Sequence, residues 1–419
     1  MSKFLLIGIL FLFSAQAVVS CSKDKTVSNA FPGDVMSPWE GGPAYYSQWK
    51  NGPSNSEVFF PIAVWLQNPE NAANAAKYKT MGFNIFLGLH KGPTEAQLAA
   101  VANRSLTTFC DQNDVALTSA QNGVIKGWIQ IDEPDNAVSG TQNPVPTETI
   151  IASYNQMKSK DNSRPVFLGL GQGVAADTWY GRGNRTNHPE DYPVYAQGGD
   201  IVCYDIYPMN VFDAPTGSAF WKLNYHNAVK QKPWLVAYGL DRLREWTNYK
   251  KAVWVTLECT NFTGSSSYVL TPDIVKAEVW MSLIHGARGI QFFVHTITPF
   301  VEPALLNDPL MVTGITAINN QVSTLAPVLN TQSVQNGFTV VSENAAVNVD
   351  GMLKRLDGYT YLFAVSMRPG NTKGSFVLRD FVGERRIEVL GENRSIQSSN
   401  GVFTDLFSNY GVHIYKIKN

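Results

Sequence analysis

Short apolar runs alternate with helical stretches along most of this chain, and this alternation constrains the fold more than any other feature. Eight such runs follow one another, at 58–67, 82–90, 115–121, 127–133, 165–173, 200–208, 252–259 and 289–297. Strands that alternate with helices pair in parallel. Eight strand–helix units over about 270 residues predict an α/β fold of the (β/α)8 type, a TIM barrel, here spanning residues 56–330.

Helix signals between the runs support the barrel. Asn68 and Thr271 each precede a proline at a predicted helix start, and further helical stretches begin at Thr94 and Pro146. The rival is an open doubly wound sheet, which predicts a glycine-rich phosphate turn after the first strand. The segment "WLQNPENA" at that place contains no glycine, so the sequence favours the barrel.

The third and fourth runs are unusually close together. Only residues 122–126 separate them, which is too short a segment for a full helix. Either this crossover is reduced to a turn, or one of the two strands is misplaced.

The pattern changes near residue 331. Short alternating runs such as "GFTVVSEN", "GYTYLFAVSM" and "GVHIYKIK" follow, separated by Gly, Asn and Asp. Period-two alternation between turn residues is typical of antiparallel strands. Residues 331–419 are therefore predicted to form a β-sandwich domain.

The first residues have the pattern of an export signal. Lys3 precedes the apolar run 4–13, and "VVSC" ends at Cys21. This arrangement resembles a bacterial lipobox, which implies a signal peptide at 1–20 and lipidation of Cys21. Residues 21–55 would then be a tether and N-terminal extension, and the lipid would hold the protein at the outer membrane, on its periplasmic or outer side. Secretion without lipid is the alternative.

Composition narrows the possible ligands. The net charge is −1 and no basic run occurs, which argues against nucleic acid as a partner. Charged residues make up 16% and aromatic residues 12%, which suits neutral hydroxylated ligands but also a large core. The chain has no CxxC, HxH or HxxxH spacing, so neither a metal site nor a cofactor is predicted.

Two glutamates end predicted strands. Glu133 closes the fourth run and Glu258 lies at the end of the seventh. Active sites of TIM barrels lie at the carboxyl ends of the strands. Two carboxylates facing each other there indicate glycoside hydrolysis, in which one protonates the leaving oxygen and the other attacks the sugar or activates water.

Glutamates at the tips of strands four and seven resemble clan A glycoside hydrolases, a group of retaining enzymes that contains cellulases and β-galactosidases. The resemblance implies that Glu133 is the acid/base and Glu258 the nucleophile. Asp132 stands where that clan usually has asparagine. An aspartate can accept the same hydrogen bond from the sugar's 2-hydroxyl, and its charge would raise the pKa of Glu133.

Further polar and aromatic residues end predicted strands or lie in the long loop after the fifth. We expect Tyr207, on the sixth strand, to orient the nucleophile, although a packing role is equally consistent with its position. Trp65 and Trp179 are candidate sugar-stacking rings, and Trp65 could instead belong to the core. The complete predicted substrate-binding set is Asp132, Tyr207, Asp205, Trp65, His90, Gln121, Gln172, Trp179 and His295.

The sequence therefore predicts a retaining glycoside hydrolase that cleaves β-linked oligo- or polysaccharides at the cell envelope. One alternative is a non-catalytic glycan-binding lipoprotein on the same scaffold. Another is a barrel enzyme of a different class, such as a lyase or a metal-dependent hydrolase. The two glutamates could also be structural, paired with Arg164, Arg182 or Arg288.

Overall fold

A computed structural model describes residues 30–38, 40–211, 216–263 and 270–419. The expected signal peptide and Cys21 lie outside these residues. Eight parallel strands close into a barrel in chain order, which confirms the predicted TIM barrel. The strands are β1 (Ile62–Gln67), β2 (Ile85–Leu89), β3 (Thr107–Cys110), β4 (Ile125–Ile129), β5 (Val166–Leu170), β6 (Ile201–Asp205), β7 (Ala252–Glu258) and β8 (Ile290–Phe293).

Ten α-helices in the described residues precede, surround or follow these strands. They are α1 (Pro43–Tyr46), α2 (Ala72–Thr80), α3 (Glu95–Ala102), α4 (Asp114–Thr118), α5 (Thr147–Lys160), α6 (Tyr192–Tyr195), α7 (Phe220–Val229), α8 (Leu235–Trp246), α9 (Pro272–Ile284) and α10 (Pro309–Leu329). Thr94 and Thr271 cap α3 and α9 as predicted, whereas α2 is capped by Asn71 instead of Asn68. Within the described ranges, no helix combines the length and the apolar character needed to cross a membrane.

The predicted third strand is misplaced. Residues 115–121 contain most of α4, which begins because the Asn113 side chain accepts a hydrogen bond from the amide of Ala116. The true β3 is the four-residue segment Thr107–Cys110, too short to stand out by periodicity. The crossover from β3 to β4 therefore carries one five-residue helix and a single 3-10 turn.

The fourth strand ends earlier than predicted. β4 stops at Ile129, and the side chain of Gln130 turns outward to bond the Ile150 carbonyl and Ser153 on α5. Glu133 nevertheless stays attached to the next strand, because its amide donates to the carbonyl of Gly169 at 3.1 Å. The acidic segment 132–135 thus lies above the barrel mouth.

The C-terminal domain is a single antiparallel sheet of eight strands, in the order β10-β11-β16-β13-β14-β15-β12-β9. Its two ends, β9 and β10, contact each other, so the sheet nearly closes around its own apolar core. The strands are β9 (Phe338–Ser342), β10 (Val349–Leu356), β11 (Tyr359–Ser366), β12 (Thr372–Leu378), β13 (Glu384–Val389), β14 (Arg394–Ser399), β15 (Val402–Phe407) and β16 (Val412–Lys418).

The described residues that precede the barrel pack against both domains. Asp34 forms ion pairs with Arg355 and Arg379 of the sheet domain. Tyr46 reaches under the barrel, where its hydroxyl accepts a hydrogen bond from the buried indole of Trp254 at 2.9 Å. The described part of the expected tether and extension, 30–38 and 40–55, therefore packs against the fold.

Candidate active site

A cavity of about 320 Å³ opens at the carboxyl ends of the barrel strands. It is bounded by acidic, amide and aromatic side chains contributed by several strands. Its described lining is Trp65, Asp132, Glu133, Phe167, Gly169, Leu170, Gln172, Trp179, Asp205, Tyr207, Thr256, Phe262, Gln291, Phe293 and Ile297. This set contains three carboxyl groups and neither Lys nor Arg, so no described cation in the wall offsets their charge.

Glu133 is held in one orientation by its neighbours. Its backbone has φ +42°, a left-handed conformation that is uncommon for residues other than glycine. Such conformations are often found at functional sites. The Asn136 amide donates to Glu133 Oε2 at 2.9 Å, and the indole of Trp179 donates to Asn136 Oδ1 at 2.7 Å. Because the indole N–H points at the amide oxygen of Asn136, the amide nitrogen is the end that faces the Glu133 carboxyl.

A buried aspartate anchors the turn that carries these residues. Asp135 accepts hydrogen bonds from the Gly171 amide at 2.8 Å and from the Tyr192 hydroxyl at 2.9 Å. It is fully buried and does not line the cavity. The third acid of the segment is therefore structural, and it ties the end of β4 to the loop after β5.

The carboxyl groups of Glu133 and Asp205 lie within hydrogen-bonding reach across the mouth. Burial raises the pKa of Glu133 and the charge of Asp135 raises it further, whereas the hydrogen bond with Asp205 lowers it. Burial and the neighbouring Glu133 carboxyl raise the pKa of Asp205 well above its usual range, against the lowering effect of the nearby Tyr207 hydroxyl. The two acids therefore titrate as a coupled pair, and burial favours the state in which they share one proton.

Asp132 is the third carboxyl of the cavity. The residue is exposed to solvent, yet many protein atoms surround its carboxyl group. That crowding and the charge of Glu133 raise the pKa of Asp132 to about 7. A side chain at Gly169 would place its Cβ 3.3 Å from Asp132 Oδ1, so glycine keeps this position open.

Two buried acceptor atoms in the lining lack a protein partner among the described residues. They are Asp205 Oδ1 and Gln291 Oε1, and Gln291 is only 3% exposed. Buried acceptors without donors are costly. Hydroxyl groups of a ligand would satisfy them, and the rings of Trp65, Trp179 and Tyr207 provide apolar walls beside them.

Glu258 occupies a different environment from the one predicted. It ends β7 but is fully buried and is not among the described residues that line the cavity. Its oxygens accept from the amides of Met209 and Asn210 at 2.7 and 3.0 Å, and from the Asn210 side chain at 2.6 Å. Burial raises the pKa of Glu258 to about 7. This position does not support attack on a substrate in the cavity.

The three arginines considered as structural partners pair with other acids. Arg164 binds Asp161 at 2.5 Å and Arg182 binds Asp191 at 2.7 Å. Arg288 pairs with Glu40. Within the described ranges, neither Glu133 nor Glu258 has an arginine partner, so the structure does not support the ion-pair alternative.

The remaining predicted residues divide into two groups. Trp65, Gln172, Trp179, Asp205 and Tyr207 lie in the cavity wall together with Asp132 and Glu133. His90, Gln121 and His295 do not belong to the described lining.

Each residue of the second group has a visible reason for its position. Gln121 precedes β4, so it lies at the opposite end of the barrel. His295 is buried behind the wall, with Nε2 3.2 Å from the Trp65 carbonyl. The His90 ring stacks on Phe300 near the rim.

Asn136 and Gln291 are among the residues of the site that sequence reasoning missed. Asn136 follows the acidic segment directly, and its place three residues after Glu133 on a turn is a signal that could have identified it. Gln291 lies within an apolar strand and faces the cavity. A lone amide inside a buried run is the corresponding signal for Gln291.

Comparison with known proteins identifies similar folds only. No family model and no curated protein matches the chain. A GH30 endoxylanase from Clostridium papyrosolvens C71 aligns over 92% of this chain and 98% of its own, at 10% identity and a TM-score of 0.46. A putative α-galactosidase/melibiase from Bacteroides fragilis NCTC 9343 aligns over 86% of this chain and 79% of its own, at 10% identity and a TM-score of 0.49.

An α-amylase from Geobacillus thermoleovorans, solved in complex with acarbose, is also similar. It aligns over 87% of this chain and 98% of its own, at 10% identity and a TM-score of 0.44. Likeness at this level carries no argument about the reaction, which has to come from the barrel mouth itself.

Proposed function

We propose that this protein is a retaining glycoside hydrolase acting on β-linked glycans, with Glu133 as the acid/base. The observation that carries the proposal is the proton-sharing pair of Glu133 and Asp205, which lies in a cavity with aromatic walls and unpaired acceptors. A carboxylic acid that keeps its proton near neutral pH is what cleavage of a glycosidic bond needs. The pyranose C–H faces suit the indole rings, and the hydroxyls suit the free acceptors.

The reaction follows from these groups. Glu133 donates its proton to the glycosidic oxygen while the bond from that oxygen to the anomeric carbon breaks, which releases an alcohol. Asp205, ionised by then, attacks the anomeric carbon and forms a glycosyl ester. Glu133 then removes a proton from water, and the resulting hydroxide displaces Asp205, so that one water is consumed for each bond cleaved.

Asp205 takes the role that the sequence predicted for Glu258. It faces Glu133 across the cavity, whereas Glu258 is enclosed by protein donors. Carboxyls of retaining enzymes stand about 5–5.5 Å apart. Since Glu133 and Asp205 lie within hydrogen-bonding reach, we expect a bound sugar to move between them and separate them. Asp132 would accept the bond from the sugar's 2-hydroxyl.

Covalent trapping tests this assignment. The full chain is incubated with 2,4-dinitrophenyl 2-deoxy-2-fluoro-β-glycosides of glucose, galactose and xylose, and the labelled peptide is identified by mass spectrometry. We expect time-dependent inactivation and a label on Asp205. A label on Glu258 or Asp132 would overturn the Asp205 assignment but not the hydrolase.

The glycan-binding alternative is decided by turnover. If no β-linked glycan is hydrolysed, while sugars still bind and Glu133→Gln leaves that binding intact, the protein is a binding module and not an enzyme. A hydrolase instead loses turnover in Glu133→Gln and keeps its affinity for the substrate.

We also propose that the protein works at the cell envelope, held by lipid on Cys21. The support is the apolar run 4–13 followed by "VVSC". Metabolic labelling with palmitate in a bacterial host tests it. We expect label in the membrane fraction, and its loss in Cys21→Ala; a secreted, unlabelled product would overturn it.

A further inference from the structure

A second cavity, of about 520 Å³, lies beside the first at the barrel mouth. The two share Trp65 and Asp132 as walls. The rest of its described lining comes from residues at or after the ends of β1 to β4, among them Leu66, Gly88, Asp111 and Ile131, and from α5. It therefore extends from the catalytic centre over the ends of β1 to β4.

The short crossover after β3 is associated with this space. Asp111 and Gln112 follow β3 directly and line the cavity, and α4, which comes next, has only five residues. Ser153 and Met157 of α5 line it from the other side. No part of the proposed reaction uses these residues.

The wall between the two cavities has a defined shape. Leu66 has φ +48°, a left-handed conformation in a residue adjoining the catalytic centre. Gly88 has φ +77°, and a Cβ there would lie 3.3 Å from Leu66 Cδ1 and 3.5 Å from Trp65 Cζ3. The position therefore favours glycine, and Trp65 lies in the wall that the two cavities share.

The second cavity also offers polar groups. Asp111 is exposed towards this space, and within the described part of the chain no side chain or backbone donor pairs with its carboxyl. Ile131, which also lines the cavity, is 46% exposed. An exposed apolar side chain beside a free carboxyl acceptor suits a sugar ring.

We propose that this second cavity is a sugar subsite continuous with the catalytic one, so that the substrate is a chain of at least two sugar units passing over Trp65. The inference rests on the proposed function, because the first cavity must hold the sugar whose bond is cleaved. Trp65 supports the chain between the two units, and Asp111 accepts a hydroxyl hydrogen bond from the second unit.

Binding as a function of chain length tests the subsite without turnover. The full-length Glu133→Gln variant is titrated calorimetrically with cello-, xylo- and β-1,4-galacto-oligosaccharides of one to five units. We expect at least one series to bind about ten-fold or more tightly when the second unit is added. We expect Asp111→Ala to remove most of that gain, and the isosteric Asp111→Asn, which keeps one acceptor oxygen, to retain part of it.

Asp114→Ala is the matched control, because Asp114 is exposed in the same segment and is outside the lining. It should leave the length dependence unchanged. Affinity that is equal for one and two units, a gain that survives both Asp111 variants, or no binding in any series would overturn the subsite.

Hydrolysis by the wild-type protein and the Asp111 variants separates the two proposals. If the Asp111 variants cleave chains of two to five units with the wild-type kcat/KM, the subsite is wrong and the hydrolase stands. If no chain is cleaved but affinity still rises with the second unit, the subsite stands and the hydrolase is wrong.

Discussion

Glu258 at the end of β7 and Glu278 of α9 lie against each other in the protein interior, and both are fully buried. Burial raises the pKa of Glu278 well above its usual value, and the adjacent Glu258 raises it further. The two carboxyl groups are in contact, and of the two only Glu258 accepts hydrogen bonds from protein donors. We infer that they share a proton.

This pair should weaken the fold as the pH rises. An acid whose pKa is higher in the folded state than in the unfolded chain stabilises the fold. This stabilisation is complete below the unfolded pKa, near 4.5, and is lost as the pH rises through the folded pKa, which is about 7 for Glu258. We therefore expect Glu278→Gln to raise the free energy of unfolding at pH 8, relative to wild type, by on the order of 2 kcal/mol.

Urea unfolding at pH 5 and pH 8 measures this effect. Glu245→Gln, on the exposed side of α8, is the control and should follow the wild type at both values. An identical pH dependence in Glu278→Gln and wild type would show that the two glutamates do not share a proton.

The Glu133 and Glu258 variants should separate catalysis from folding. We expect Glu133→Gln to lower kcat by about 10² to 10⁴-fold, because the proton donor is gone, with little change in the unfolding midpoint. We expect Glu258→Gln to cost about 1–3 kcal/mol of stability, because an amide nitrogen would face backbone donors. Its kcat per folded molecule should stay within about ten-fold of wild type.

Rates on an aryl β-glycoside, measured beside urea unfolding curves for both variants, check this contrast. The reverse pattern, with Glu258→Gln stable but inactive, would restore Glu258 as the nucleophile that the sequence predicted.

The sequence predicted the barrel because apolar periodicity reports which segments are buried. Seven of the eight runs overlap a barrel strand, and the missed strand is β3. Its four residues are too few to show a period, while the next apolar run forms α4 because Asn113 caps it. Local capping and short strands are therefore where the pattern failed.

The same reasoning located strand tips but not side-chain directions. Glu133 lies beyond the end of β4 and lines the cavity, whereas Glu258 belongs to β7 and bonds the loop after β6. Its partner Glu278 lies twenty residues later on a helix, and no strand pattern places that helix against the strand tip. The sequence therefore placed Asp205 in the substrate-binding set and Glu258 in the catalytic pair.

Tyr207 should control the pH at which the catalytic pair ionises. Its hydroxyl lies close to Asp205 and lowers that carboxyl's pKa against the larger effect of burial. Tyr207→Phe removes the hydroxyl, so the ionised form of Asp205 is less stabilised and the pKa of Asp205 rises. We expect the ascending limb of the kcat/KM profile to move to higher pH by roughly one unit. Tyr238→Phe, on exposed α8, is the control, and an unmoved limb would show that Asp205 is not the ionising group.

His285 should stabilise the contact between the barrel and the sheet domain. It follows α9, with Nδ1 2.9 Å from Asp241 of α8 and Nε2 3.4 Å from Asp350 of β10. Burial opposes its charge, but the two carboxylates outweigh that effect and raise its pKa to about 9. The imidazolium thus joins an acid of each domain.

A histidine whose pKa is raised in the folded state stabilises the fold. This stabilisation is complete below the unfolded pKa, near 6.5, and is lost as the pH rises through the folded pKa of about 9. We expect His285→Gln to lower the free energy of unfolding by about 1–2 kcal/mol at pH 6 and by much less at pH 10. The figure at pH 6 is kept small because Asp241 is partly exposed to solvent. Urea unfolding at both values measures it, with the exposed His188→Gln as control. An equal loss at both pH values would mean that His285 acts by packing and not by charge.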